Sequence, residues 1–413
     1  MVDGSTILAS LLLLTTVNGQ IITCKDNVRW PATADARQNP PGDPAGYLEW
    51  WFFTAFSPAS ELGLALSYHP AHNGLSAMFY EHAATPSKAL VTSFYRKFAY
   101  VNVSASNATM TFGDDGTTGV LVQDEKTYVL RGAIPDADLS WVLTYHQEVD
   151  ASREHVDILS IIKLDWISYM PSATLTGEVV YKGKRYSFAD GVGYHDHNSG
   201  KWPKIATRAP QPSRSPAMAP GGGAAAAAEE EVEMAEPSLP LLASSTSPSA
   251  ASASPQASSQ LDHLLSFDYK WGSLNGGASG IGAVYGAYLL PGPLSKLSVD
   301  YIFVRVPGAV PRRIEFGTLC GHAVHVTPLA FTDHPGGHRE AVALRLTAKS
   351  SEYQLEWVHH VRSSGINGGG HGLGLVVFEQ LSFHNLTVTA TKDGAIVAQV
   401  ANAPGFTEWS NPT

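Results

Sequence analysis

Hydrophobic and polar positions alternate in short runs along most of the chain. Between about Gly46 and Asn198 such runs include GLALSYH, LVTSFYRKFAYVNV, TGVLVQD, KTYVLRG, LSWVLTYHQE and ATLTGEVVY. Period-two alternation rich in β-branched and aromatic residues predicts strands, and Asp115-Gly116 and Lys182-Gly183 mark turns between them. One run departs from the pattern. In GYLEWWFFTAF, residues 46–56, Leu48, Trp50 and Phe52 face one way and Glu49, Trp51 and Phe53 the other. Both faces are apolar apart from Glu49, which predicts a strand covered on both sides, in a small barrel or at a domain junction.

The pattern stops at residues 204–260, where Pro, Ser, Ala and Gly dominate. This segment has too little apolar surface to offset its ordering entropy and is expected to be a disordered insertion. Strand signals resume at LLSFDYKWGSL and continue through LSVDYIFVRV, AVALRLTA, YQLEWVHHV and LGLVVFEQLSF. The reading is an all-β chain with two antiparallel barrel or sandwich domains, 20–203 and 261–413, and no long amphipathic helix. Two β-units of similar size suggest a duplicated architecture, although no residue-level repeat is visible.

Composition changes the picture mainly at the N-terminus. Ile7–Val17 is an apolar run of signal-peptide length, with cleavage expected after Gly19; the alternative is a buried N-terminal strand. A secretory route fits the sequons at Asn102, Asn107 and Asn385. It also permits a disulfide between Cys24 and Cys320, the only two cysteines, with two buried thiols as the alternative. A net charge of −10 without a basic stretch argues against nucleic acid, and no later segment suits a membrane span. A monomer or weak dimer is expected.

Three stretches could carry chemistry. Glu49, between aromatic neighbours, would be desolvated with a raised pKa, as suits a general acid; equally, it could pair with a buried Arg or amide. GVGYHDHNSG, residues 191–200, puts His195 and His197 on one face and Asp196 and Asn198 on the other. No further ligand completes a metal set nearby. That leaves proton transfer, with one histidine oriented by a carboxylate, or capping of backbone groups where the strand ends. In FDYKWGSL, Tyr269 and Trp271 share a face opposite Lys270; with Tyr285 and Tyr288 they offer aromatic lining or simply barrel core. No phosphate-binding loop, dinucleotide fingerprint or nucleophile elbow is present, so no cofactor is expected.

With EWWFF at 49–53, GVGYHDHNSG at 191–200 and KWGSL at 270–274 in this order, the chain resembles a two-domain, lipocalin-like superfamily. That superfamily includes carotenoid 1,2-hydratases, kievitone hydratase and fungal Diels–Alderases. The resemblance implies a hydrophobic small-molecule substrate in a pocket at or between the domains. It also carries over Glu49, His195, Asp196, His197 and Asn198 as catalytic candidates, and Trp51, Tyr269, Trp271 and Tyr285 as pocket residues. Hydratase-like members show HDHNWG where this chain has Ser199 after Asn198, and its GAVYGAY strand lacks the carboxylate expected there. That favours a cofactor-free, Diels–Alderase-like cyclase acting on a polyketide or polyketide–amino acid hybrid. A hydratase of isoprenoid or phenolic alkenes and a non-enzymatic carrier are the alternatives.

Overall fold

The computed structural model describes residues 35–37, 47–81, 90–113, 116–158, 162–201, 268–289, 298–308, 312–334, 338–367 and 375–412. The proposed signal segment, Cys24, Asp115, the 204–260 insertion and the GGGHGLG run at 368–374 lie outside them.

The described residues form two antiparallel sheets, of thirteen and nine strands. Strands arise where alternation is clean. In Leu139–Gln147, Leu139, Trp141, Leu143 and Tyr145 are buried and the residues between them are more open. Lys182 and Gly183 both adopt positive φ, at 48° and 73°, joining Tyr181 to Lys184 in the tight turn their sequence predicts.

Both sheets follow one path. The first strand of each domain, Tyr47–Ser57 or Asp268–Asn275, lies in the middle of its sheet. On one side the next strands run outward as a meander, ending at Leu90–Lys97 and Arg312–Gly317. The chain then passes to the opposite edge, starting again at Val101–Val103 or Ala323–Asp333. It works back until the domain's last strand, Gly191–Lys201 or Ile396–Pro412, pairs with its first. Links this short between opposite edges require each sheet to curl. In the second domain, Val324 from one edge packs in the same core cluster as Ile314 and Phe316 from the other. The duplication is therefore one of topology.

Each barrel holds its own core. Trp51, Phe53, Tyr68, Trp141 and Tyr145 fill the first, and Tyr285, Ile302, Leu346 and Trp357 the second. A third cluster lies between them, built from Phe52, Phe56, Tyr80, Trp166, Tyr194, Tyr269, Trp271, Tyr301, Phe303 and Phe406. Fully burying each such ring contributes about 1.5–3 kcal/mol. Asn275 ties the sheets together, its Nδ2 donating to the carbonyls of Ala173 at 3.2 Å and Gly193 at 3.1 Å. As expected, the Tyr47–Ser57 strand is buried on both faces.

No helix among the described residues is long and apolar enough to cross a membrane. Asn102 and Asn385 are exposed and Asn107 is half-buried. Cys320 is disulfide-bonded, and the chain has one other cysteine, Cys24.

Candidate active site

Strand pairing splits the HDHN motif between two places. Tyr47–Ser57 aligns with Gly191–Lys201 so that Phe53 faces His195, Phe52 faces Asp196, Trp51 faces His197 and Trp50 faces Asn198. Odd positions point into the first barrel and even positions toward the second domain. Gly193 permits this close pairing, because a Cβ there would lie 2.6 Å from the Thr54 carbonyl oxygen.

Inside the first barrel the two imidazoles converge on Asp35. Its carboxylate accepts from Trp51 Nε1 at 3.1 Å, Tyr128 Oη at 2.8 Å and His195 Nε2 at 2.8 Å. His197 Nδ1 lies 3.3 Å from Asp35 Oδ1, near enough to pair in charge but poorly aligned for a hydrogen bond, while its Nε2 is 3.0 Å from Glu49 Oε1. His197 stacks on Trp51 and His195 on Phe53, at centroid distances of 4.1 and 3.9 Å. Burial alone would raise the Asp35 carboxyl, but the charge and hydrogen bond of His195, with the close imidazole of His197, outweigh it and hold the group at about 2. Burial likewise opposes the His197 imidazolium, yet Asp35 and Glu49 lift it to about 9.

The second barrel treats its histidines in the opposite way. Trp357 Nε1 donates to His384 Nδ1 at 2.9 Å, and His359 lies 5.2 Å from His384 between ring centroids. Burial, aided by His360, lowers His359 to about 3, and burial with His359 and His360 takes His384 well below its ordinary value.

These shifts set a pH window for stability. The raised His197 contributes stability that is complete below 6.5 and lost as pH climbs through about 9, on the order of 3 kcal/mol. Asp35 contributes above 3.8, and its share fades as pH falls toward 2. The depressed His359 and His384 withdraw stability as pH drops below 6.5, because the unfolded chain then binds protons the folded barrel refuses. The raised carboxyls of Asp196 and Glu408 act in the opposite sense over the same range, so the comparison with His384→Phe isolates the histidine. Followed by circular dichroism, the thermal midpoint of His384→Phe should rise relative to wild type as pH falls below 6.5. A difference between the two that does not change between pH 4 and 6.5 would contradict the assignment.

The other half of the motif faces the junction. Asp196 accepts from Tyr194 Oη at 2.7 Å, Trp166 Nε1 at 2.8 Å and Asn198 Nδ2 at 2.7 Å. Burial still outweighs these bonds and raises its carboxyl to about 6. The second domain offers a matching arrangement: Trp271 faces Glu408 as Phe52 faces Asp196, and Tyr269 Oη donates to Glu408 Oε2 at 2.9 Å. Burial raises Glu408 well above the ordinary carboxylate range, and the cross-strand neighbour Glu379 pushes it further; Asp196 adds to the same effect. Phe52, Tyr194 and Trp166 surround Trp271 at centroid distances of 5.6, 5.0 and 6.3 Å. The buried Trp271 Nε1–H has no acceptor. The junction thus holds two carboxyls of raised proton affinity, Glu408 and Asp196, walled by aromatic rings.

The expected pocket set does not assemble as one site. Tyr269 and Trp271 are at the junction, but Trp51 lies inside the first barrel and Tyr285 inside the second. Tyr285 pairs with Gly272, on the strand face opposite Trp271. The side chain of Tyr288 is outside the described residues. Glu49, His195 and His197 meet inside the first barrel, and Asp196 and Asn198 meet at the junction. Sequence reasoning missed Asp35, Trp166, Tyr194, Glu379 and Glu408. The FTEWS run around Glu408, an acid amid Phe and Trp as in LEWWF, is the signal that could have found it. Among the described residues no group of three His, Cys, Asp or Glu side chains is placed to hold a metal.

No protein-family model matches the sequence, and no curated protein does so. Solved structures do. A putative AttH from Nitrosomonas europaea superposes with a TM-score of 0.54 at 12% identity, over 96% of this chain and 99% of that one. CghA with Sch210972 gives 0.51 at 10% identity, over 94% and 96%. Kievitone hydratase from Nectria haematococca gives 0.48 at 10%, over 95% and 94%. At these identities the likeness establishes fold alone: the chain shares the two-domain, all-β architecture of the AttH and CghA structures.

Proposed function

We propose that the chain is an enzyme that adds water to an alkene of an apolar small molecule at the domain junction. The observation that carries this reading is the pair of carboxyls of raised proton affinity, half-buried Glu408 and buried Asp196, among aromatic rings. Two such groups divide acid and base work. Glu408 gives its proton to one alkene carbon. The cation left on the other carbon is stabilised by the faces of Trp271 and Tyr194. A water oxygen bonds to that carbon and passes a proton to Asp196, and proton exchange with solvent resets both acids. Glu408, on the terminal strand across Asp268–Asn275 from GAVYGAY, would stand in for the acid that GAVYGAY lacks, which removes the main argument for a cyclase over a hydratase. A ligand-binding role for the fold is supported by CghA, solved with Sch210972. Secretory routing, with Asn102 and Asn385 open to glycosylation, belongs to the same proposal.

One observation favours the cyclase as second reading. The unpaired Trp271 Nε1–H would polarise a carbonyl, as a pericyclic ring closure needs. Incubating acyclic isoprenoids, prenylated phenols and conjugated polyenes in ¹⁸O-labelled water separates the readings. A hydratase product carries the label; a cyclase yields an isomer of unchanged mass, and a carrier returns its ligand unaltered.

A further inference from the structure

We propose that His334 and His338 form a binding site for a divalent transition-metal ion such as Zn²⁺ or Cu²⁺. The run DHPGGHRE, residues 333–340, places both histidines at the end of the hairpin formed by Ala323–Asp333 and Arg339–Lys349. Thr332 stands opposite Glu340 and Asp333 opposite Arg339, so the next pair along the ladder is His334 with His338. The His334 amide donates to the His338 carbonyl at 2.8 Å, which closes that pair. Residues directly opposite one another share a face, with Cβ atoms about 4.5–5.5 Å apart. Two imidazoles at that spacing can meet on a single ion at the usual Zn–N length of about 2.0–2.1 Å. Alternation puts Glu340 on the same face, and the Asp333–Arg339 ion pair on the other.

Glu340 makes the pair a built site. Its side chain is buried, and its Oε2 lies 2.6 Å from His334 Nε2. Ser364 Oγ donates to the same oxygen at 3.0 Å, and Gln380 Nε2 donates to Oε1 at 2.7 Å. The carboxylate is therefore fixed from two further strands, Tyr353–Asn367 and Leu375–Ala390. Because it accepts from all three partners, His334 Nε2 carries the ring proton, and Nδ1 keeps the lone pair that coordinates a metal. The His334 ring also packs on Phe378, with 4.7 Å between centroids. A carboxylate behind a ligating imidazole sets its tautomer and orientation and raises its basicity, the usual outer shell of a metal site. Both histidines are half-buried, which leaves the ion's remaining positions to water or a small anion. Imidazole ligands select Zn²⁺, Cu²⁺ or Ni²⁺ over Mg²⁺ and Ca²⁺, which take oxygen. None of these residues takes part in the steps proposed at the junction.

Calorimetric titration of the full chain with Zn²⁺, and with Mg²⁺ as control, tests the proposal. Zn²⁺ should saturate one site and Mg²⁺ should not bind. His334→Ala and His338→Ala should each weaken Zn²⁺ by at least about tenfold, and Glu340→Gln by about 10–100-fold, with circular dichroism unchanged. His338→Ala leaves the Glu340 network whole, so it decides the test should Glu340→Gln fail to fold. His325→Ala, at the other end of the Ala323–Asp333 strand, should leave the isotherm unaltered. In electron paramagnetic resonance, bound Cu²⁺ should couple to two imidazoles in the wild type and to one in His338→Ala. Absence of saturable Zn²⁺ binding by the wild-type chain would overturn the site. So would wild-type affinity in any folded variant of His334, His338 or Glu340.

Discussion

Glu408→Gln should lower turnover by about 10²–10⁴-fold, the usual contribution of a positioned general acid, while the fold survives. Glutamine keeps the size of the side chain and an oxygen for the Tyr269 hydroxyl, but it has no acidic proton to give. Because it also ends the proximity of two carboxyls, Glu408 and Glu379, its thermal midpoint should equal or exceed that of the wild type. Asp196→Asn should cost a similar factor for a different reason, since it removes the base. In the wild type, Asp196 protonates as pH falls through about 6, so kcat/KM should decline below that value. Glu379→Gln should leave the chemistry in place but shift the alkaline limb down, because Glu408 then loses the neighbour that helps keep it protonated. If Glu408→Gln turns over at the wild-type rate with a wild-type pH profile, the junction is not the catalytic centre.

The second large effect falls on stability. Asp35→Ala strips the carboxylate acceptor from the Tyr128 hydroxyl and His195, leaves the Trp51 indole only the backbone carbonyl of residue 35, and takes one of two carboxylates from His197. All of these groups are enclosed, so water cannot replace what is lost. Breaking a buried charge pair from one side costs about 3–5 kcal/mol, equivalent here to a fall of roughly 10 °C in midpoint. Equilibrium denaturation with urea, followed by tryptophan fluorescence, measures it. A loss under about 1 kcal/mol would mean that the segment bearing Asp35 contributes little to closing the first barrel.

Much of this architecture is legible in the sequence, because alternation along a strand states directly which residues share a face. The opposed faces of His195/His197 and Asp196/Asn198, and the double burial of EWWFF, follow from period two alone. The same rule cannot say which two strands' faces meet. For that reason Trp51, Trp271 and Tyr285, all plausible wall residues, turn out to occupy three separate clusters. Asp35 carries no periodic signal at all: it lies outside any strand, and it matters only because the barrel folds around it. Glu408 needed knowledge of register as well, since its altered proton affinity depends on Glu379, which stands opposite it on the preceding strand.

Placing each domain's first strand at the centre of its sheet has a consequence for synthesis. Tyr47–Ser57 emerges early, yet one of its edges is covered only when Gly191–Lys201 has been made. At about 5–20 residues per second, that edge waits on the order of ten seconds, an interval in which a nascent aromatic strand can recruit the wrong partner. Pairings this distant in sequence also make for slow folding. Expression should therefore depend on holdase chaperones and improve at lower temperature, and the yield of folded protein should be limited by how the first barrel closes as much as by how stable it is once closed.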